Sequence, residues 1–238
     1  MAVNFQPMYI LAAGGQRAME QVDNTANNIA NVNTTGFKKI LIKEMSQKLT
    51  DNKGDARELF VFPRFEDSPV MLQQGSLKQT GRSLDVAITG KGFFTVGTQN
   101  GEMLTRNGHF RLDSKGYLVD VNGNYVLDEN GSKIQLDPKK NINITDNGMI
   151  YQEGKSVAKL GIKNAQTVKP VGNTYYIAKG NLAQSDFKIH QGYLESSNVN
   201  PVEEMVGLIN AQRRFEIYGN LIKSLDTVEQ RSHEIGKA

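Results

Sequence analysis

The chain has 238 residues, no cysteine and no tryptophan, and its 28 basic and 25 acidic residues leave a net charge of +3. That length supports one large domain or two modest ones with a real core. The near-balance of charge points to neither nucleic acid nor an anionic membrane as a partner, and the lack of cysteine excludes disulfides, thiol chemistry and thiolate-held zinc.

The N-terminus, MAVNFQPMYILAAGGQRAME, lacks the basic segment and long apolar run of a cleavable signal. No stretch approaches the roughly 20 apolar residues of a membrane span. From about residue 3 to 35, Met8, Leu11, Gly15, Ala18, Val22, Thr25, Ile29 and Val32 recur at alternating steps of three and four. This spacing predicts a long amphipathic helix with a heptad-like seam of small residues. Its polar positions are filled by Asn24, Asn27, Asn28, Asn31 and Asn33. Asparagine disfavours helix by about 0.5 kcal/mol per position relative to alanine, and Gly14 and Gly15 weaken the helix further. Such a helix is expected to wait for packing partners. Asn27, Asn28, Asn31 and Asn33 would then meet polar groups of neighbouring helices. Thr34, Thr35 and Gly36 provide a stop, with Gly36 suited to a left-handed C-terminal cap.

Residues 40–74 are less patterned. DNKGDAREL reads as an exposed loop, and LFVFPRF as a short extended segment ending at Pro63. From about 75 to 195 the helical period vanishes. Asn-Gly recurs at 100–101, 107–108, 122–123, 130–131 and 147–148, and the pair is a strong hairpin signal because both residues tolerate positive φ. Between these turns, LDVAI (84–88), FFTV (93–96), HFRL (109–112), YLVDV (117–121), YVL (125–127), INI (142–144) and TYYIA (174–178) read as strands. The expectation is an all-β module of hairpins, barrel-like or sandwich-like.

Asn200-Pro201 then marks a second helix start, with Asn200 as cap, Pro201 in the first turn and Glu203 and Glu204 near the positive end of the dipole. Leu208, Ala211, Phe215, Tyr218, Ile222 and Leu225 form its seam, and Val202, Met205 and Ile209 extend the apolar side. The helix should run to about residue 233. Arg213 and Arg214 share it with Glu203, Glu204 and Glu216, which favours ion pairs over nucleic-acid contacts. The predicted fold class is mainly β with terminal α: a hairpin-rich β domain inserted between two coiled-coil-forming helices. The expected boundaries are 1–36 helix, 37–74 linker, 75–195 β domain and 196–238 helix.

Motifs for chemistry are scarce. His109, His190 and His233 are dispersed, in no metal-binding spacing. His109 reads as a strand-face residue and His233 as a solvated helix-end residue. Gly90-Lys91-Gly92 leads into a strand, so it reads as a tight turn and not a phosphate loop. DVNGNYVLDENG places Gly123 out of step with a calcium loop and reads as a double hairpin. Neither a nucleophile elbow nor a cofactor fingerprint is present. A pair of carboxylates brought together by folding is left open. Asn33-Thr34-Thr35 and Asn143-Ile144-Thr145 fit glycosylation sequons, of little weight without a secretory signal.

Three long blocks carry a family resemblance. ANNIANVNTTGFK (26–38) resembles the N-terminal signature of bacterial flagellar rod and hook proteins, and GYLESSNVNPVEEMVGLINAQRRFE (192–216) their C-terminal signature. TGRSLDVAITGKGFFTV (80–96) with LTRNGHFRLDSKGYLVDVNG (104–123) resembles their shared β domain. QRRFEIYGNLIKSLDTVEQR and QQGSLKQTGRSLDVAI look most like the proximal-rod subunit that adjoins the distal rod. The distal rod protein is the alternative within the family. The resemblance implies a non-enzymatic subunit of the periplasm-spanning rod of the basal body, stacked helically with itself and other rod subunits to transmit torque. It implies export through the flagellar type III apparatus without a cleaved signal, no cofactor, no metal, no nucleic acid and no direct membrane insertion. The expected assembly interface comprises both seams and the asparagines Asn27, Asn28, Asn31 and Asn33, together with Gly36, Phe37, Asn198, Asn200, Met205 and Arg213. The alternative of another class is a carbohydrate-acting enzyme or binding module, which requires a concave cluster of aromatics and carboxylates in the β body.

Overall fold

The computed structural model describes residues 6–42, 44–48, 61–65, 69–183 and 186–235. The chain divides into two units. One holds the terminal helices and a two-stranded ribbon; the other holds residues 31–40 and 69–199.

In the first unit, α1 (Gln6–Ala30) and α2 (Pro201–Ile235) pack together. They run antiparallel, since Gly14 meets Tyr218, Thr25 meets Gly207 and Asn28 meets Glu204. The cap of α2 is built as its sequence predicts. Asn200 Oδ1 accepts from Val202 N at 3.1 Å, and Asn200 O accepts from Glu204 N at 3.1 Å. The ribbon pairs β1 (Glu44–Lys48) antiparallel with β2 (Val61–Phe65), from Glu44↔Phe65 to Lys48↔Val61. The strand therefore continues past Pro63, the expected end. A two-stranded ribbon leaves alternate N–H groups facing away from the partner, and proline is tolerated there. The loop expected at 51–59 lies outside the described residues.

α1 stops at Ala30, short of the expected Gly36. Residues 31–36 form turns, with Thr34 N donating to Asn31 O at 3.1 Å and Phe37 N to Thr34 O at 3.2 Å. Gly36 does adopt a positive φ of 70°, but not as a helix cap. Its N–H donates to Glu195 O at 2.8 Å, and a Cβ there would fall 2.4 Å from the backbone of Arg106 and Asn107. Close backbone approach, together with the left-handed φ, demands glycine.

The second unit contains β3 (Leu77–Gln79), β4 (Val86–Gly90), β5 (Phe93–Thr98), β6 (Gly101–Thr105), β7 (Arg111–Leu112), β8 (Leu118–Val119), β9 (Tyr125–Val126), β10 (Ile142–Ile144), β11 (Met149–Gln152), β12 (Lys155–Lys159), β13 (Ile162–Gly172), β14 (Tyr175–Ala183), β15 (Phe187–Gln191) and β16 (Tyr193–Glu195). The largest sheet has the order β13-β14-β6-β5-β9-β8-β7. The long β13 also pairs with β5 through Ile162↔Phe94, so β13, β14, β6 and β5 close into a ring. A meander β10-β11-β12 and the pairs β15–β4 and β16–β3 complete the body. Its core gathers Val86, Ile88, Phe94, Val96, Phe110, Leu118, Val126, Ile134, Ile150, Leu160 and Ile189. Each such side chain contributes roughly 1.5–3 kcal/mol of apolar burial. A second cluster holds Phe93, Leu104, Ala165, Val168 and Tyr176.

Asn-Gly turns at 100–101, 122–123 and 147–148 join β5–β6, β8–β9 and β10–β11. The turn at 130–131 closes a smaller loop, between the bridged residues Leu127 and Lys133. Two of these loops share one device. Asp120 Oδ1 accepts from the N–H groups of Asn122 and Asn124, and Asp128 Oδ1 from those of Asn130 and Ser132. DVNGNYVLDENG is thus a double hairpin. Asn107-Gly108 departs from the expectation, because it makes no hairpin. A Cβ on Gly108 would fall 1.6 Å from Val86 O, so this glycine serves a close crossing of two chain segments.

Candidate assembly interface

The helix pair is built from small residues on α1 and one large ring on α2. Gly14 and Gly15 seat Tyr218: a Cβ on Gly14 would lie 2.5 Å from its ring, and one on Gly15 would lie 3.6 Å from Tyr218 Cβ. Gly207 reciprocates lower down, 3.7 Å from Thr25 Cγ2 in the same sense. Ala18 and Ala211 are buried, while Met8, Leu11, Val22, Ile29, Leu208, Tyr218, Ile222 and Leu225 are half-buried. The seam of small residues therefore lets the two backbones approach within one chain.

The asparagines divide among different tasks. Asn28 is buried and its Nδ2 donates to the buried carboxylate of Glu204 at 3.1 Å. Asn31 Oδ1 accepts from Thr34 Oγ1 in the turn after α1. Asn27 and Asn33 are exposed. Asn28→Ala should weaken the helix pair by about 1–3 kcal/mol, because Glu204 loses a donor while staying buried. Thermal melting followed at 222 nm checks this. A melt unchanged from the parent would show that the pair contributes nothing.

Several expected interface residues are used inside the β body. Gly36 and Phe37 are buried. Asn198 Nδ2 donates to Met71 O at 2.9 Å and Gln73 O at 3.0 Å, and its Oδ1 accepts from Lys39 N at 2.7 Å. Of the ion pairs expected for Arg213 and Arg214, within the helix or between subunits, the intrahelical ones are not formed among the described residues, and both side chains are exposed. Arg214 has no acid three or four residues away, and Arg213 precedes Glu216 in the less favourable order.

The outer surface of the helix pair is unusually apolar. Tyr9, Ile10 and Met19 on α1 are exposed, as are Val202, Met205, Val206, Ile209, Phe215, Ile217, Leu221 and Val228 on α2. At 100° per residue, Val202, Val206, Ile209 and Ile217 lie opposite the face that carries Glu204, Ala211 and Tyr218. α2 thus has two apolar faces, one spent on α1 and one uncovered. Phe215, expected in the seam, is 46% exposed. A helix apolar on two sides is normally enclosed on both.

Where the chain enters and leaves the β body, charges are buried together. Glu195, at the end of β16, accepts from Lys38 Nζ at 2.5 Å, Gly75 N at 2.9 Å and Arg106 Nη1 at 3.2 Å. The three side chains are at most 4% exposed. Lys38 Nζ also donates to Gln73 O at 2.7 Å, and Arg106 Nη2 to Gly90 O at 2.6 Å. Burial pushes both cations below their ordinary pKa, opposed by the Glu195 charge. The Tyr176 hydroxyl accepts from Lys38 N at 3.1 Å, and burial pushes its pKa up to about 12, so it stays neutral. Sequence reasoning passed over this cluster, because its members stand at positions 38, 106 and 195.

The other polar features resolve into structure. His109 Nδ1 lies 2.9 Å from Asp85, to which its backbone is bridged, and His190 stacks edge-on with Tyr193. The solvated side chain expected for His233 lies outside the described ones. Gly90-Lys91-Gly92 is the turn between β4 and β5, with positive φ at both glycines. One cavity of about 320 Å³ opens beside it, lined by Phe93 as its single aromatic and by no carboxylate. That lining lacks the paired acids and the aromatic platform of the carbohydrate reading. Among the described residues no group of three metal-binding side chains converges, and no helix is long and apolar enough to cross a membrane.

Comparison with known families matches three segments in order. Residues 8–38 match the family described as flagella basal body rod protein, and 87–152 match the D1 domain of the flagellar hook protein FlgE/F/G. Residues 190–234 match the C-terminal region of flagellar basal body rod FlgEFG proteins. The chain is 33% identical to the flagellar basal-body rod protein FlgF of Caulobacter vibrioides, over 94% of each chain. It is 35% identical to FlgF of Rhizobium meliloti, over 92% of this chain and 96% of the relative. It is 27% identical to the rod protein FlgG of Bacillus subtilis, over 94% and 96%. With the same signatures at both ends, the same β domain between them and this identity along nearly the whole length, the chain belongs to the flagellar basal-body rod protein family.

Proposed function

We infer that the chain is a structural subunit of the bacterial flagellar basal-body rod, of the proximal-rod type, which assembles with itself and other rod subunits through its terminal helices. The observation that carries this reading is the second apolar face of α2, with Val202, Val206, Ile209 and Ile217 uncovered. Such a face in a lone chain is an aggregation liability, whereas in a tube it is a contact. Family membership supplies the setting, and higher identity to the two FlgF relatives than to the Bacillus FlgG favours the proximal branch.

In this reading neighbouring helices complete a coiled-coil-like packing around the rod axis. Torque carried by the helices enters the β body through residues 31–40 and 195–199. The Lys38–Glu195–Arg106 cluster holds those two connections together, so load is shared by the sheet and does not peel β16 away. The weak intrinsic helicity of α1 suits a chain that passes unfolded through the flagellar type III export apparatus, without a cleaved signal, and orders on arrival in the periplasm-spanning rod. The isolated subunit would then hold its helices less firmly than its β body.

A single label tests the location. The chain has no cysteine, so Ser156→Cys, exposed on β12, gives one attachment point. Electron microscopy of labelled basal bodies should show gold on the rod. Label confined to the cytoplasmic ring or to the filament would overturn the assignment.

A further inference from the structure

We propose that the cavity beside Gly90-Lys91-Gly92 is a receptor for one carboxylate group, supplied in the assembled rod by an acidic side chain of a neighbouring subunit. The identity of the donor rests on the assembly reading above; the chemistry of the cavity does not.

Lys38 and Arg106 are two buried cations facing one buried anion, Glu195, and Tyr176 is neutral. The interior next to the cavity therefore holds one uncompensated positive charge. Removing such a charge from water without a counter-ion is unfavourable. Arg106 itself lines the cavity, with Phe93 packed 5.2 Å from its guanidinium carbon. Its Nη1 and Nη2 are used on Glu195, Ile88 O and Gly90 O. Its Nε is buried, and among the described residues no acceptor reaches it. A buried donor left without an acceptor is unfavourable, so the guanidinium has a hydrogen bond left to give.

The rest of the lining fits an anion. Lys91 supplies a second cation, Asn164 and Gln166 supply amide groups, and no acid contributes. A single negative charge offsets the buried excess of one, while exposed Lys91 adds a further cation to the lining. At about 320 Å³ the cavity is large enough to admit the end of an aspartate or glutamate side chain with room to spare.

The test uses the full-length chain. Acetate is titrated at constant ionic strength against chloride, and the Arg106 Nε–H resonance is followed by proton–nitrogen NMR. Acetate should shift it saturably and chloride should not. Lys91→Ala, at an exposed position, should weaken acetate about fivefold without unfolding the chain. In assembled rods, a photo-crosslinker at exposed Gln166 should capture a segment of a neighbouring subunit that contains Asp or Glu. An Arg106 resonance unmoved by acetate, or moved more strongly by inorganic phosphate, overturns the carboxylate receptor and leaves the rod assignment standing. An acetate response with no cross-link to any chain in the rod overturns the neighbouring subunit as donor.

Discussion

Glu195→Gln should cost the β body about 3–5 kcal/mol of folding stability, a large share of what a domain of this size possesses. The carboxylate accepts from Lys38, Arg106 and the Gly75 N–H in a space closed to water. A glutamine keeps the volume but removes the charge and presents an amide donor to one of the existing donors. Among the described residues, the two cations then lose the one carboxylate that reaches them. The contrast is Glu129→Gln, which breaks an ion pair with Lys159 that is open to solvent on both sides. That change should leave the urea midpoint where it was. The idea fails if the two variants unfold at the same urea concentration. A motile strain carrying Glu195→Gln should also swim poorly, because the segments flanking both helices are released from the sheet.

Val206→Glu with Ile209→Glu should abolish swimming while leaving the isolated subunit folded. Both side chains are exposed on the α2 face opposite α1. In the monomer the glutamates stay in water, where a surface substitution changes little. In an assembled rod each would be an unpaired charge in an apolar contact. One such charge weakens association on the order of 10²–10⁴-fold, and the polymer repeats the penalty at every subunit. Ile209→Leu preserves the apolar surface and should swim normally. Soft-agar motility and the melting temperature of purified protein separate assembly from folding. Wild-type swimming by the double glutamate variant would remove the second face of α2 from the assembly.

Local chemistry made much of the architecture legible. The Asn-Gly pairs at 100, 122, 130 and 147 each close a turn in which the glycine, and not the asparagine, takes positive φ. INI is found as a strand at its expected limits, and Asn200 caps α2 through its own next residues. Strands β11, β12, β13 and β15 were not legible. Their sequences, such as KSVAK and IKNAQTVKPVG, alternate weakly; β13 and β15 also take partners far along the chain, β5 and β4, whereas β11 and β12 pair within the local β10-β11-β12 meander. Glycines with the same appearance proved to do different work. Gly123 turns a hairpin with open space around it, whereas Gly36 and Gly108 are required by backbone passing alongside.

The helix–β–helix order, the capped start of α2, the turns and the two apolar stripes can be read from the residues alone. These depend on spacing and on each residue's own conformational range. Tertiary packing was needed to show that the small seam of α1 receives α2 of the same chain, leaving the opposite face of α2 uncovered. It alone placed Asn28 on Glu204 and drew Lys38, Arg106 and Glu195 into one buried cluster. A charge declares its partner only when folding removes the water between them, and residues 38, 106 and 195 meet only once the chain has closed its sheet.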